Sequence, residues 1–161
     1  MKLRHFTILF FVILILSACN NSIDQKEDLG EIYSIALNSI MEQDKELDNG
    51  MKFIAIDMSN FNELDEQDKK EILNFFKEKY KIEVMDATFE ELKEKGFYNS
   101  DTMSLDGILL SLEKVEFKFN NNVFFEGSKY SSALGTVGVE VMVHYKDDNW
   151  KVKEAKMTWV S

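Results

Sequence analysis

The chain has 161 residues, no proline and a single cysteine, with 29 acidic side chains against 19 basic ones and a net charge of −10. That length supports a domain with its own core, and that charge argues against nucleic acid or an anionic surface as a partner. Arg4 is the only arginine, no phosphate-cradling glycine loop is present, and no motif calls for a cofactor.

The N-terminus opens with Lys2 and Arg4, continues through an apolar run from Phe6 to Leu16 and closes on Ser17-Ala18-Cys19. A basic start, a short apolar core and small residues at the end are the parts of a secretory signal. The run falls short of the roughly 20 apolar residues that a spanning helix needs. Leu16-Ser17-Ala18-Cys19 resembles the lipobox of bacterial lipoprotein precursors. That resemblance implies a signal at residues 1–18, a diacylglyceryl group on the Cys19 thiol, and cleavage just before Cys19. The protein is then expected on the outward, extracytoplasmic face of the cell membrane, held in the bilayer through acylated Cys19. Two acyl chains give stable anchoring, at about 0.8 kcal/mol per buried methylene, where one does not. A thioether at the only cysteine also leaves the domain with neither free thiol nor disulfide. Residues 19–27 are the lipidated cysteine and a polar tether, whose residues 20–27 reach at most roughly 28 Å when extended. The folded domain is expected over 28–161.

Leu29, Ile32, Tyr33, Ala36, Leu37, Ile40 and Met41 recur at helical spacing, and predict a first helix running toward the Asp48-Asn49-Gly50 turn. Residues 51–57 form a short apolar run and read as a buried strand. A second helix is predicted over 64–80, with acids in its first turn suited to the positive helix end. Residues 81–85 read as another short strand. Thr88-Phe89-Glu90-Glu91 matches a capping box that opens a short helix, and Gly96 sits where its C-terminal cap belongs. Strand, helix and strand in such close succession suggest a parallel pair with a crossover, although an antiparallel arrangement fits the same pattern.

From Gly107 onward the period changes to two. Val115, Phe117 and Phe119 alternate with Glu116 and Lys118, residues 120–122 make a turn, and 123–127 return. Val137, Val139, Val141, Val143 and Tyr145 line one face of a long strand. Trp150 and Val152 open the last strand, but Ala155, Met157 and Trp159 continue in the opposite phase, which a bulge near Glu154 reconciles. The fold class is therefore α+β, with N-terminal helices packed on one face of a curved, mainly antiparallel sheet. Two architectures fit: a cystatin-like or NTF2-like wrap around the first helix, and a mixed six-stranded sheet that includes the two early strands.

Residues that carry chemistry are sparse. His144 is the only histidine beyond the signal, so a soft-metal site cannot be assembled from one chain. Residues 57–68 fail as a calcium loop, with Phe61 at a ligand position and Asn62 where glycine is needed. Ser111-Leu112-Glu113-Lys114 matches the bare S-x-x-K pattern of serine acyl enzymes, but lies in a strand-like segment without the companion motifs. Adjacent carboxylates such as Glu90 and Glu91 are expected in so acidic a chain. One segment stands out: 127–138 holds three of the seven glycines, interleaved with serines and Tyr130. It reads first as a flexible strand connection. The sharper reading is a recognition loop, with Tyr130, Ser131, Ser132 and Gly135 as partner-binding residues and Gly138 leaving a gap beside Glu140.

Residues 53–61 and 83–91 and the ending Trp150-Lys151-Val152-Lys153 are similar to blocks of small lipoproteins of low-GC Gram-positive bacteria. That resemblance implies an envelope location and no defined activity. The expected function is non-enzymatic: a membrane-anchored extracytoplasmic lipoprotein that binds a protein or peptide partner at the cell envelope. A small carboxylate-dependent envelope hydrolase and an accessory subunit of a transporter or sensor stay open as alternatives.

Overall fold

The helical spacing that begins at Leu29 forms α1 (Leu29–Met41), whose apolar stripe is buried throughout. The computed structural model describes residues 28–161. The expected signal (1–18), Cys19 and the remaining tether to residue 27 lie outside the described residues. α1 stops short of the predicted turn because Asp44 takes a left-handed backbone conformation (φ 42°) and a single 3-10 turn (Lys45–Asp48) follows. A fully buried lysine fills the break. Lys129 Nζ donates to the carbonyls of Met41 (2.9 Å), Gln43 (2.7 Å) and Asp44 (3.1 Å) and lies 2.5 Å from the Asp48 carboxylate. A cation here meets both the unpaired last carbonyls of the helix and the negative end of its dipole.

The short apolar run forms β1 (Phe53–Asp57), and α2 (Glu66–Tyr80) follows. Asp65 caps α2 by accepting from the amides of Gln67 (2.7 Å) and Asp68 (2.9 Å), while Asp68 accepts from the Asp65 amide (3.1 Å). That reciprocal cap places the helix start just after Leu64. Lys81 ends it in a left-handed conformation (φ 59°), so β2 begins late, at Glu83–Asp86. The predicted Thr88–Glu91 capping box opens α3 (Phe89–Glu94), and Gly96 lies just past its end with φ 79°. The rest is β3 (Tyr98–Asn99), β4 (Ser104–Lys118), β5 (Asn122–Ser132), β6 (Gly135–Lys146) and β7 (Asn149–Val160).

The sheet has seven strands in the order β2-β1-β4-β5-β6-β7, with β3 paired to the start of β4. β1 runs parallel to β2 and to β4, and all other pairs are antiparallel. The fold is thus α+β, with an N-terminal helix on a curved sheet, and the sheet is the mixed one, extended by β3. The crossover from β1 through α2 to β2 joins a parallel pair, as the spacing suggested.

Helices do not all lie on one face, which corrects the expected layering. Along β1, Ile54 and Ile56 point into the main core with α1 and α2, while Phe53 and Ala55 point the other way. There they join Ala87, Leu92, Leu105 and Leu109 in a second core roofed by α3. β6, β7 and most of β5 have helix cover on one side only, where Val123, Phe125, Val137, Val139, Val141 and Val143 pack under α1; only Tyr130, near the end of β5, reaches α3 on the other side. The bulge expected near Glu154 is present: the register passes from Met142–Glu154 to Val143–Val152 and leaves Lys153 unpaired.

Candidate functional site

The segment 127–138 is a strand, a turn and a strand, not a flexible connection. β5 continues to Ser132, Ala133-Leu134 turns the chain, and β6 starts at Gly135. A strand alternates its faces, so the four residues singled out from the sequence do not form one patch. Tyr130 lies on the α3 side, its ring edge-on to Phe89 at 5.3 Å and its hydroxyl donating to the Met103 carbonyl at 3.3 Å. Burial pushes its phenol pKa up, and neighbouring Tyr98 adds to the shift. Gly135 is buried on the α1 side, where an added Cβ would meet Ser132 Oγ and Leu47. Ser131 is the extra residue at a register shift between them. The gap expected at Gly138 is filled, because Trp159 lies across it with its indole nitrogen where a Cβ would stand.

What the structure brings together instead is an apolar end of the sheet. The strand ends are stitched by Ala133 N–H donating to Met103 O (3.1 Å), Ser161 N–H to Thr136 O (3.0 Å) and Ser161 Oγ to Ala133 O (3.3 Å). Around these bonds stand Met103, Leu134, Trp159 and Val160, all exposed, Leu134 to 87% and Trp159 to 49%. β7 is also a free edge of the sheet, β2 being the strand at the other end. Natural edges are blunted by charge, lysine above all. β7 follows that rule through Lys151, Lys153, Glu154 and Lys156, and abandons it over Met157-Thr158-Trp159-Val160. Trp159 pairs with Gly138 on the uncovered face and Val160 with Val137 on the α1 face, so the edge presents an aromatic and an aliphatic group on opposite sides.

The remaining uncovered face mixes acidic and basic side chains with half-exposed Phe124 and Met142. Lys114, Glu126, Glu140 and Lys156 form a row across four strands. Glu116 is held by Lys114 at 2.7 Å and by Lys118, which pull its carboxyl down to about 2. Glu113 occupies a bulge in β4 and accepts from Ser128 Oγ at 2.7 Å; burial raises its pKa. His144 is half-buried on β6 opposite Asn122 and Lys151. Ser111 lies within β4 opposite Ser128. In the acidic segment 57–68, Asp57 accepts from Ser59 N–H (3.0 Å) and Oγ (2.6 Å) and Asp65 caps α2, so these acids shape turns.

A groove of about 710 Å³ separates α1 from α2, with Glu31 and Glu71 on its walls. Both carboxylates are exposed; partial burial, then the charges of Asp28 and Glu71, raise the Glu31 pKa. Among the described residues no group of three or more metal-ligating side chains is arranged to hold an ion, and no helix is long and apolar enough to cross a membrane.

Two features escaped the sequence reading. Lys129 shares the inward phase of Val123, Phe125 and Gly127, and that phase was the available signal. The uncharged end of β7 was visible as composition, but only the strand order makes it an edge. Comparison of the chain with protein-family models, curated proteins and solved structures finds no match in any of the three.

Proposed function

We propose that the protein is an extracytoplasmic lipoprotein, anchored in the membrane through acylated Cys19, whose domain captures a protein or peptide partner at the cell envelope. The observation that carries this reading is the uncharged end of β7, an open edge with Trp159 and Val160 exposed beside Leu134 and Met103. An extended partner segment added along such an edge gains main-chain hydrogen bonds from the strand and specificity from side chains on alternate faces. Tyr130 supports the site from behind, as packing beneath Met103, and does not carry the contact by itself.

Geometry also suits a tethered receptor. The tether enters at Asp28, whose carboxylate accepts from Trp150 Nε1 at 2.9 Å. Trp150 pairs with Tyr145 and Trp159 with Gly138, seven residues apart on β6, so the two indoles stand at opposite ends of β7, roughly 23 Å apart at ordinary strand rise. The apolar edge therefore lies at the end of the sheet away from the anchor. A hydrolase would need two carboxylates sunk in a cleft, whereas Glu31 and Glu71 stand on the rims of an open groove.

The test has two arms. Cys19→Ser should lose the acyl chains, and either leave the membrane fraction or keep the uncleaved apolar run of residues 6–16, since so acidic a domain has no charge attraction to hold it there. A wild-type N-terminus that carries no diacylglyceryl group on Cys19 by mass spectrometry would refute the anchor. Trp159→Ala should reduce recovery of the partner from intact membranes by about tenfold or more, as loss of an anchor aromatic does. Undiminished recovery would refute the edge.

A further inference from the structure

We propose that the β4–β5 hairpin tip is a second, non-covalent membrane contact, with Phe119 inserting into the lipid interface next to the anchor. The proposal rests on the reading that Cys19 carries the acyl chains, and adds to it a fixed orientation of the domain.

The tip is exposed and uncharged, carries an open phenylalanine and is held in shape. Phe119 is 94% exposed and Phe117 is 42% exposed, the largest aromatic exposures at this end of the sheet. A phenylalanine so open to water has no packing role in the domain itself. Asn120 and Asn121 both adopt positive φ (60° and 53°), and the Asn122 side chain donates to the carbonyls of Phe119 (2.9 Å) and Asn120 (2.8 Å). Residues 119–122 carry no charge, so the tip can leave water without stranding an ion. Behind it, the Glu116 carboxylate is neutralised by Lys114 and Lys118, and that of Asp147 by Lys151 at 2.7 Å. Repulsion from an anionic surface is therefore weak at this end, although the chain as a whole is acidic.

Lipid is the occupant because of where the chain enters. Tyr145 N–H donates to Asn121 O at 3.0 Å, which ties this hairpin to the β6–β7 hairpin. Tyr145 in turn packs on Trp150 at 5.3 Å, and Trp150 donates to Asp28, where the tether begins. Phe119 and the tether thus leave the domain at the same end of the sheet. The chain from Cys19 to Asp28 spans at most roughly 32 Å when extended, so the anchor keeps this end near the headgroups. An aromatic tip adds the second attachment that fixes tilt, which a flexible tether alone does not. It also turns the β7 edge at Trp159 outward.

The experiment uses full-length acylated protein reconstituted in vesicles of phosphatidylcholine and phosphatidylglycerol in equal parts. Phe119→Cys and Leu134→Cys, at opposite ends of the sheet, each carry an environment-sensitive fluorophore, and mass spectrometry verifies acyl chains on Cys19. The probe at 119 should shift to the blue and be quenched several-fold more by nitroxide-bearing lipids than the probe at 134. Phe119→Asp, read with a probe at the neighbouring Asn120→Cys, should abolish that quenching while leaving the protein acylated and in the membrane. Equal quenching at 119 and 134 on acylated protein overturns the seat alone. Absence of acyl chains on Cys19 overturns the anchoring and the seat together.

Discussion

The two ends of the sheet order are built differently, and the difference is written in their period. At the parallel end, β1 is covered by α1 and α2 on one side and α3 on the other, and four consecutive residues, Phe53 to Ile56, are buried. At the antiparallel end, β6 is covered on one side only, and buried valines alternate with half-exposed Glu140, Met142 and His144. A continuous apolar run reports two covering layers; alternation reports one. The uncovered face of β5, β6 and β7 and the open edge of β7 are therefore where the domain has surface to offer.

Substitutions on the two faces of β6 should give the widest separation. Val141→Asp places an unpaired charge under α1 and should leave the domain unfolded at ambient temperature. Glu140→Lys, one residue away on the uncovered face, should change stability by only about 0.5 kcal/mol. Chemical denaturation of both variants measures the contrast, and equal damage would mean that β6 is covered on two sides.

The buried lysine comes next. Lys129→Ala removes the cation that collects three carbonyls at the end of α1, and leaves them and Asp48 without a partner. A loss of about 3 kcal/mol is expected, in line with breaking other buried pairs. Hydrogen exchange should locate the damage in the last turn of α1 and the 3-10 turn. Exchange spread evenly over the sheet would assign Lys129 a different role.

The second core should matter less, and only locally. Leu92→Ala empties the space beneath α3 and should cost about 2 kcal/mol, at the low end for buried leucines because α3 is short and can settle. Protection should fall in α3, β2 and β3 and stay high in β6. Global loss of protection would mean that the two cores form a single cooperative unit.

Much of this fold was legible in the sequence. Helical spacing located α1 and α2, the capping box located α3, and the phase break in the last strand located the bulge at Lys153. Layering was not legible, because a six-residue helix carries no mark of the face it will cover. The segment 127–138 misled through composition. Its glycines record close approach, not flexibility: an added Cβ at Gly127 would stand 2.5 Å from the Ser111 carbonyl, and one at Gly138 would collide with Trp159. Both neighbours are distant in sequence, so neither constraint could be read locally. The candidate site was legible only in part for the same reason. Tyr130 was singled out as a recognition-loop residue, but it packs on Phe89, and the exposed residues around it come from three separate strand ends.

The domain is proposed to receive its partner at the end of the sheet away from the anchor. Photo-crosslinking in intact cells tests it most directly, with benzoylphenylalanine replacing Trp159 in one strain and Phe119 in another. A discrete protein adduct from position 159 and none from position 119 is the expected result. No adduct from 159, or the same protein adduct from both positions, would contradict the account.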